Sequence, residues 1–184
     1  VLGKNLNVIG LIRVNVENSI ELAQDMVDAG VEVIQVSGSS RSKAISEVLS
    51  AHQKLVISES ATSPSLTDFN DNDFLFRLPP SDVYQGRVLA SLALSGGAET
   101  AVIVINENDV FGQDLANEFK LNFENEGGQV IDIVIIPTSV VTDFSEYLSQ
   151  IYDRRPDVVM NAMLLPELAA NQINAASDMS FDGF

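Results

Sequence analysis

Two hydroxyl-rich stretches are the strongest chemical signal in the chain. "SGSSRS" runs from Ser37 to Ser42, and "SESATSPSLTDFND" runs from Ser58 to Asp71. The second carries six Ser or Thr hydroxyls before Asp68, with one proline among them. Hydroxyls donate and accept without charge, so they suit recognition of a polar group in a small space. Nucleophilic catalysis asks for more, because a serine needs a base beside it. The one histidine, His52, lies in "LSAHQKL", a polar helix-to-strand connection where an exposed side chain is expected. Cysteine is absent, which removes disulfides, thiolate nucleophiles and Cys-based metal sites.

Other catalytic signatures fail on spacing. "SGSSRS" lacks the Gly-x-Ser-x-Gly order of a nucleophile elbow. The glycine pairs in "GGAET" and "GGQV" end helices and have neither Walker nor dinucleotide spacing. Carboxylates are plentiful but scattered, and no spacing demands a glycosidase-type pair. No cofactor or metal is implied.

The elements that must position the hydroxyls alternate along the chain. Strand patterns occur at "LNVIGLI" (Leu6–Ile12), "VEVIQV", "KLVIS", "TAVIVIN", "QVIDIVIIP" and "VVMNAM". Helical spacing occurs in "NSIELAQDMVDAG", through Ile20, Leu22, Ala23, Met26 and Val27, with Gly30 as the stop. It recurs in "SSRSKAISEVLSAH", where Ala44, Ile45, Val48 and Leu49 form the apolar face and serines stand at the cap. "SDVYQGRVLASLALSG" is capped by Ser81, "FGQDLANEFKLNFENEGG" ends at a glycine pair, and "TDFSEYLSQIYDRRP" is capped by Thr142. A last helix starts at Pro166. "TAVIVIN" is apolar almost throughout, as a strand buried on both faces should be. The order predicts an α/β fold with parallel sheets flanked by helices. "FLFRLPPSD" breaks the rhythm, so a domain boundary is expected near Pro80.

With 184 residues, 46% of them hydrophobic, the chain can bury a core for one large or two small domains. It has no run of about 18 uncharged apolar residues that could span a membrane, and no basic start and apolar run that would make a signal peptide. It begins with Val1 rather than Met, which suggests a fragment. The formal charge of −16 argues against nucleic acid and against an anionic membrane surface. The charge is uneven: net −4 over residues 1–80 and net −12 over residues 81–184.

In open parallel sheets, ligands bind beyond the carboxyl ends of the strands. Both hydroxyl stretches fall there, after the second and third predicted strands. Ser39, Ser40 and Ser42 then stand at a helix start, where free N–H groups and the helix dipole favour an anion. Ser60, Thr62 and Ser63 stand in the neighbouring turn. Two readings are open: the hydroxyls cap helices and turns, or the two turns together form a carboxylate-sized socket.

The motifs also resemble a family. "LVISESATSPSLTD", "FLFRLPPSDVYQGRVLA", "TAVIVINENDVFGQDLANEF", "GGQVIDIVIIP", "TDFSEYLSQI" and "PDVVMNAM" occur in the order found in type I periplasmic binding proteins of the branched-chain amino-acid-binding type, which serve ABC transporters. The resemblance is strongest from Lys54 to Met163 and weak before Val16. It implies two Rossmann-like lobes, residues 1–80 and 81–184, that close around a small solute. The ligand's carboxylate would be held by Ser39, Ser40 or Ser42 and by Ser60, Thr62 and the backbone of Ala61. Phe111 of "NDVFG" and Leu164 or Leu165 would face it from lobe two. A membrane permease is the implied partner, and the implied location is periplasmic or extracellular.

Departures from the family pattern bear on the ligand. Tyrosine is common at Phe111 and an aromatic near Leu165, so an ordinary α-amino acid is less favoured. Glu59 replaces a common proline and is expected to point to solvent. The resemblance further implies that elements of both lobes lie outside this sequence. Three functions compete: a transporter's solute receptor, a sensor ectodomain, and a small α/β enzyme, the last disfavoured by the absence of nucleophile–base pairs. The gap in lobe one would expose strand edges and apolar surface, so the chain alone is expected to oligomerise there or to be disordered. A compact stable monomer in size-exclusion chromatography with light scattering would contradict this.

Overall fold

The computed structural model describes residues 16–137, 139–140, 144–163, 170–171 and 174. Helices and strands alternate. The first half holds α1 (Val16–Asp28), β1 (Val33–Val36), α2 (Ser39–Ala51), β2 (Leu55–Ser58), a short 3-10 turn (Pro64–Leu66) and β3 (Leu75–Arg77). The second half holds α3 (Asp82–Ser95), β4 (Thr100–Asn106), α4 (Val110–Asn125), β5 (Gln129–Ile136), α5 (Ser145–Asp153) and β6 (Val158–Ala162). The strands form two parallel three-stranded sheets, ordered β1-β2-β3 and β5-β4-β6. The expected strand at Leu6–Ile12 and the Thr142 cap lie outside the described residues. Of the helix expected after Pro166, Ala170, Asn171 and Asn174 are described, and each is helical.

The second sheet explains the apolar run of β4. Ala101, Ile103 and Ile105 pack with Leu115, Ala116, Phe119 and Phe123 of α4. Val102 and Val104 point the other way, into a cluster with Val134, Ile136, Phe144, Ile151 and Tyr152. Successive residues serve opposite faces and both faces are covered, so the run from Ala101 to Ile105 is apolar throughout. In the first sheet, Ile34 and Val56 pack on Ala23, Met26, Ile45 and Leu49 of α1 and α2. On its opposite face Val33 and Phe76 are 54% and 53% exposed.

Helix starts differ from expectation where backbone geometry outranks side-chain caps. Gly38, not a serine, is the N-cap of α2, with φ 85° and no side-chain cap bond. That backbone favours glycine, and it moves Ser39 and Ser40 into the first helical turn. At α4 the cap is Asp109, whose carboxylate accepts from the backbone N–H groups of Phe111 and Gly112. α5 starts behind Phe144, which is 2% exposed in the core and makes no side-chain cap bond. Ser81 caps α3 as expected, accepting from Val83 N at 3.5 Å.

α3 lies against α4 at Gly86, where an added Cβ would stand 2.4 Å from Glu118 Cβ and 2.9 Å from Phe119 N. Much of the second obstacle is backbone and cannot swing away. Gly86→Ala should therefore destabilise the fold by about 1–3 kcal/mol, despite the better helix propensity of alanine. Urea unfolding checks this, and a gain in stability would show that the two helices separate freely.

Candidate ligand site

Register brings the two hydroxyl turns together. β1 and β2 are parallel neighbours, with Val36 beside Ser58 at their carboxyl ends. The buried Ser58 hydroxyl donates to Val36 O at 2.9 Å. It accepts from Ser42 Oγ at 3.0 Å and from Ala61 N at 3.1 Å. Ser60 Oγ accepts from Gly38 N at 2.9 Å and lies 2.9 Å from Ser37 Oγ. Ser39 Oγ accepts from Ser63 N at 3.2 Å. The turns are thus tied to each other at several points.

A charged layer supports them from β3 and α3. Arg77 donates to Ser63 O at 2.6 Å, to Thr62 O at 3.4 Å and to Thr67 Oγ1 at 2.6 Å. Thr62 Oγ1 donates to Asp82 Oδ2 at 2.6 Å, and Asp82 N donates back to Thr62 O at 2.9 Å. Asp82 is 1% exposed. Burial pushes its pKa up; the Thr62 hydrogen bond and Arg77 oppose the rise, and Asp114 adds to it.

The second half meets the turns through the start of α4. Ser40 Oγ donates to Asp109 Oδ1 at 3.2 Å and accepts from Val110 N at 3.1 Å. One turn further along α4, Asp114 accepts from the hydroxyl of Ser63 and from Ser65 N, the latter at 3.2 Å. Phe111 is half-buried against the core of the second sheet.

Proton accounting narrows what these hydroxyls can do. A hydroxyl has one proton to give. Thr62 gives its proton to Asp82, and Ser40 gives its to Asp109. Ser42 is fully buried and turns inward, its one proton shared between Gly38 O at 2.7 Å and Ser58 Oγ at 3.0 Å. Ser60 and Ser37 share one hydrogen bond between two hydroxyls, so one proton remains for a ligand. Beside it, Gly38 gives α2 no side-chain cap bond, and the N–H groups of Ser39 and Ser40 in its first turn can donate to an anionic partner. Donors therefore converge near Ser60 and the α2 N-terminus.

The expected residues sort accordingly. Ser40, Ser60 and Thr62 lie on the open side of the turns, while Ser39, Ser42 and Ala61 are buried, and the Ala61 N–H expected to hold a ligand is given to Ser58 Oγ. Phe111 follows Asp109 into the first turn of α4. Leu164 and Leu165 lie outside the described residues. Glu59 is exposed, as expected. His52 is exposed at the far end of α2, with Nδ1 3.0 Å from Val48 O. At 1.5 Å per helical residue, that end is roughly 20 Å from Ser39. Sequence reasoning missed Ser37, Arg77, Asp82, Asp109 and Asp114. For Asp109 a signal existed, an Asp directly before a helical pattern. The others carry no local signature.

Helix-flanked parallel sheets with polar turns at their strand carboxyl ends define an α/β protein suited to holding a ligand there. Residues 13–182 match the family model described as periplasmic binding protein, so the chain belongs to that family. A Leu/Ile/Val-binding protein of Rhizobium johnstonii is 31% identical over 134 residues, 71% of this chain and 35% of that protein. The crystal structure of a leucine-binding protein from Thermotoga maritima superposes with a TM-score of 0.81 at 25% identity, over 92% of this chain and 48% of that one. A solute-binding protein of an ABC transporter from R. palustris, in complex with 4-hydroxybenzoate, superposes with a TM-score of 0.76 at 23% identity, over 90% of this chain and 45% of that one. The chain thus spans about a third of the curated relative and about half of each solved structure.

Asp82 makes a test of the layer under Thr62. A carboxyl whose pKa is raised on folding binds its proton more tightly folded than unfolded, so stability falls as pH rises from about 3.9 through the folded value. Asp82→Asn keeps an acceptor for Thr62 and removes this loss. Its melting temperature relative to the parent should climb between pH 3.5 and pH 7. A difference independent of pH would mean that Asp82 is not held against its ionised form.

Proposed function

We propose that the chain belongs to an extracytoplasmic solute-binding protein of an ABC transporter, which holds a small carboxylate or amino-acid-like ligand between two lobes. Lobe one is residues 1–80 and lobe two is residues 81–184. The observation that carries this reading is the cross-tied pair of turns beside the uncapped start of α2. The donors there are hydroxyls and backbone N–H groups, which suit an anion of carboxylate size. Relatives named for leucine, for Leu/Ile/Val and for 4-hydroxybenzoate support the ligand class, since all of these carry a carboxylate. The ligand's carboxylate sits on Ser60 and the α2 N–H groups. Thr62, its proton held by Asp82, offers lone pairs to a donor on the same ligand. Phe111 and Leu165 approach from lobe two. The partner on release is the membrane permease, and the reading requires no catalysis: the carboxylates beside the hydroxyls, Asp82 on Thr62 and Asp109 on Ser40, orient them.

A thermal-shift screen of leucine, valine, benzoate and 4-hydroxybenzoate tests the class, because a ligand of the folded state raises its stability. For whichever binds, Ser60→Ala should weaken affinity by about 1–3 kcal/mol in calorimetry, and Thr62→Val should do so for leucine, valine and 4-hydroxybenzoate, which carry a donor, but not for benzoate, which has none. Unchanged affinity in both variants would remove the turns from the site.

A further inference from the structure

We infer that Asp109 sets how the site admits an anion: its carboxylate holds Ser40 across the two halves, and an anionic ligand group gains Ser40 only by exchanging for it. This rests on the solute-binding reading of the same turns.

The geometry carries the exchange. Ser40 hydrogen-bonds to the start of α4 through both its proton, given to Asp109, and a lone pair, which takes Val110 N. Its acceptor is a carboxylate, the same chemistry as the proposed ligand group. Asp109 does not depend on Ser40, because Phe111 N and Gly112 N, at 3.3 and 3.2 Å, keep their bonds to it as the α4 cap. Ser40 can therefore leave while α4 stays capped. The neighbouring contact is of another kind. Asp114 meets Ser63, which is fully buried, and also Ser65 N, so that contact stays anchored. The N-terminal part of α4 thus carries a fixed contact at Asp114 and a releasable one at its cap, Asp109.

Two consequences follow for specificity. Exchange of one carboxylate for another at Ser40 is nearly even, so Ser40 adds little to the affinity of an anion while Asp109 is present. An anion that stays near Ser40 without displacing Asp109 meets a like charge. Asp109 thereby discriminates against ligands whose anion cannot reach past Ser60.

The cysteine-free chain allows a direct test. Glu47→Cys on α2 and Glu107→Cys, two residues before Asp109, both exposed positions, take spin labels in the full chain. Asp109→Ser keeps an N-cap hydroxyl but is too short to reach Ser40; Ser40→Ala breaks the same contact from the other side. Without ligand, both variants should broaden the label–label distance distribution toward longer values. In calorimetry with benzoate and with leucine, Asp109→Ser should bind roughly tenfold more tightly than the parent, and Ser40→Ala should not. Unchanged distances in both variants, or no tighter binding by Asp109→Ser, would overturn the inference. If neither probe binds any variant, the solute reading for these ligands falls, and the distances alone decide the role of Asp109.

Discussion

The site depends on one buried hydroxyl. Ser58 ends β2 and ties the strand ends together by donating to Val36 O, while its lone pairs take the Ser42 hydroxyl and the Ala61 N–H. Parallel pairing alone brings the carboxyl ends of two strands side by side; it does not fix the turns that follow. Ser58 does so because it satisfies groups from β1, α2 and its own turn, all in a place closed to water. Such groups left unpaired would each cost on the order of 1–3 kcal/mol, so the turns have little freedom to part. An alanine there would leave several of them orphaned at once.

Much of the architecture was legible in the residues. The near-continuous apolar run of β4 announced burial on both faces, and the alternating rhythm gave parallel sheets and helices within a few residues of their bounds. The hydroxyl turns were legible as a pair, because strand-end logic selects them. Their individual roles were not. Ser42 was readable in principle: it lies three residues before Ile45 and seven before Leu49, on the face of α2 that also buries Ser39, Ser46 and Ser50. Reading only the apolar residues of that helix hid its inward serines. The partners of Ser40 and Thr62 were not readable, since Asp109 and Asp82 stand far along the chain and meet them only in the fold. Gly38 displaced the serines from the cap because its backbone angles, not any side chain, set where α2 begins.

The cluster also settles which charge does what. Two basic groups adjoin the turns: Arg41 donates from Nε to Ser37 O at 2.8 Å, and Arg77 donates to Ser63 O, Thr62 O and Thr67 Oγ1. It is a strut for the turn. Asp82 balances it beneath Thr62 and fixes the direction of that hydroxyl. Arg77 and Asp82 thus set from behind the directions of the neutral donors and acceptors of the second turn.

That arrangement suits a chain of net charge −16. Its overall field opposes the approach of an anion, though salt screens it beyond about 8 Å under physiological conditions. Affinity for a carboxylate must then be made at contact distance, by oriented N–H and hydroxyl groups whose positions were fixed on folding. Donors held in this way lose little freedom on binding, which lowers the entropic cost of recognition. They also reject an anion of the wrong shape, because a misplaced oxygen would leave donors unpaired and meet the carboxylates of α4. Oriented donors of this kind therefore discriminate by hydrogen-bond geometry more than by charge.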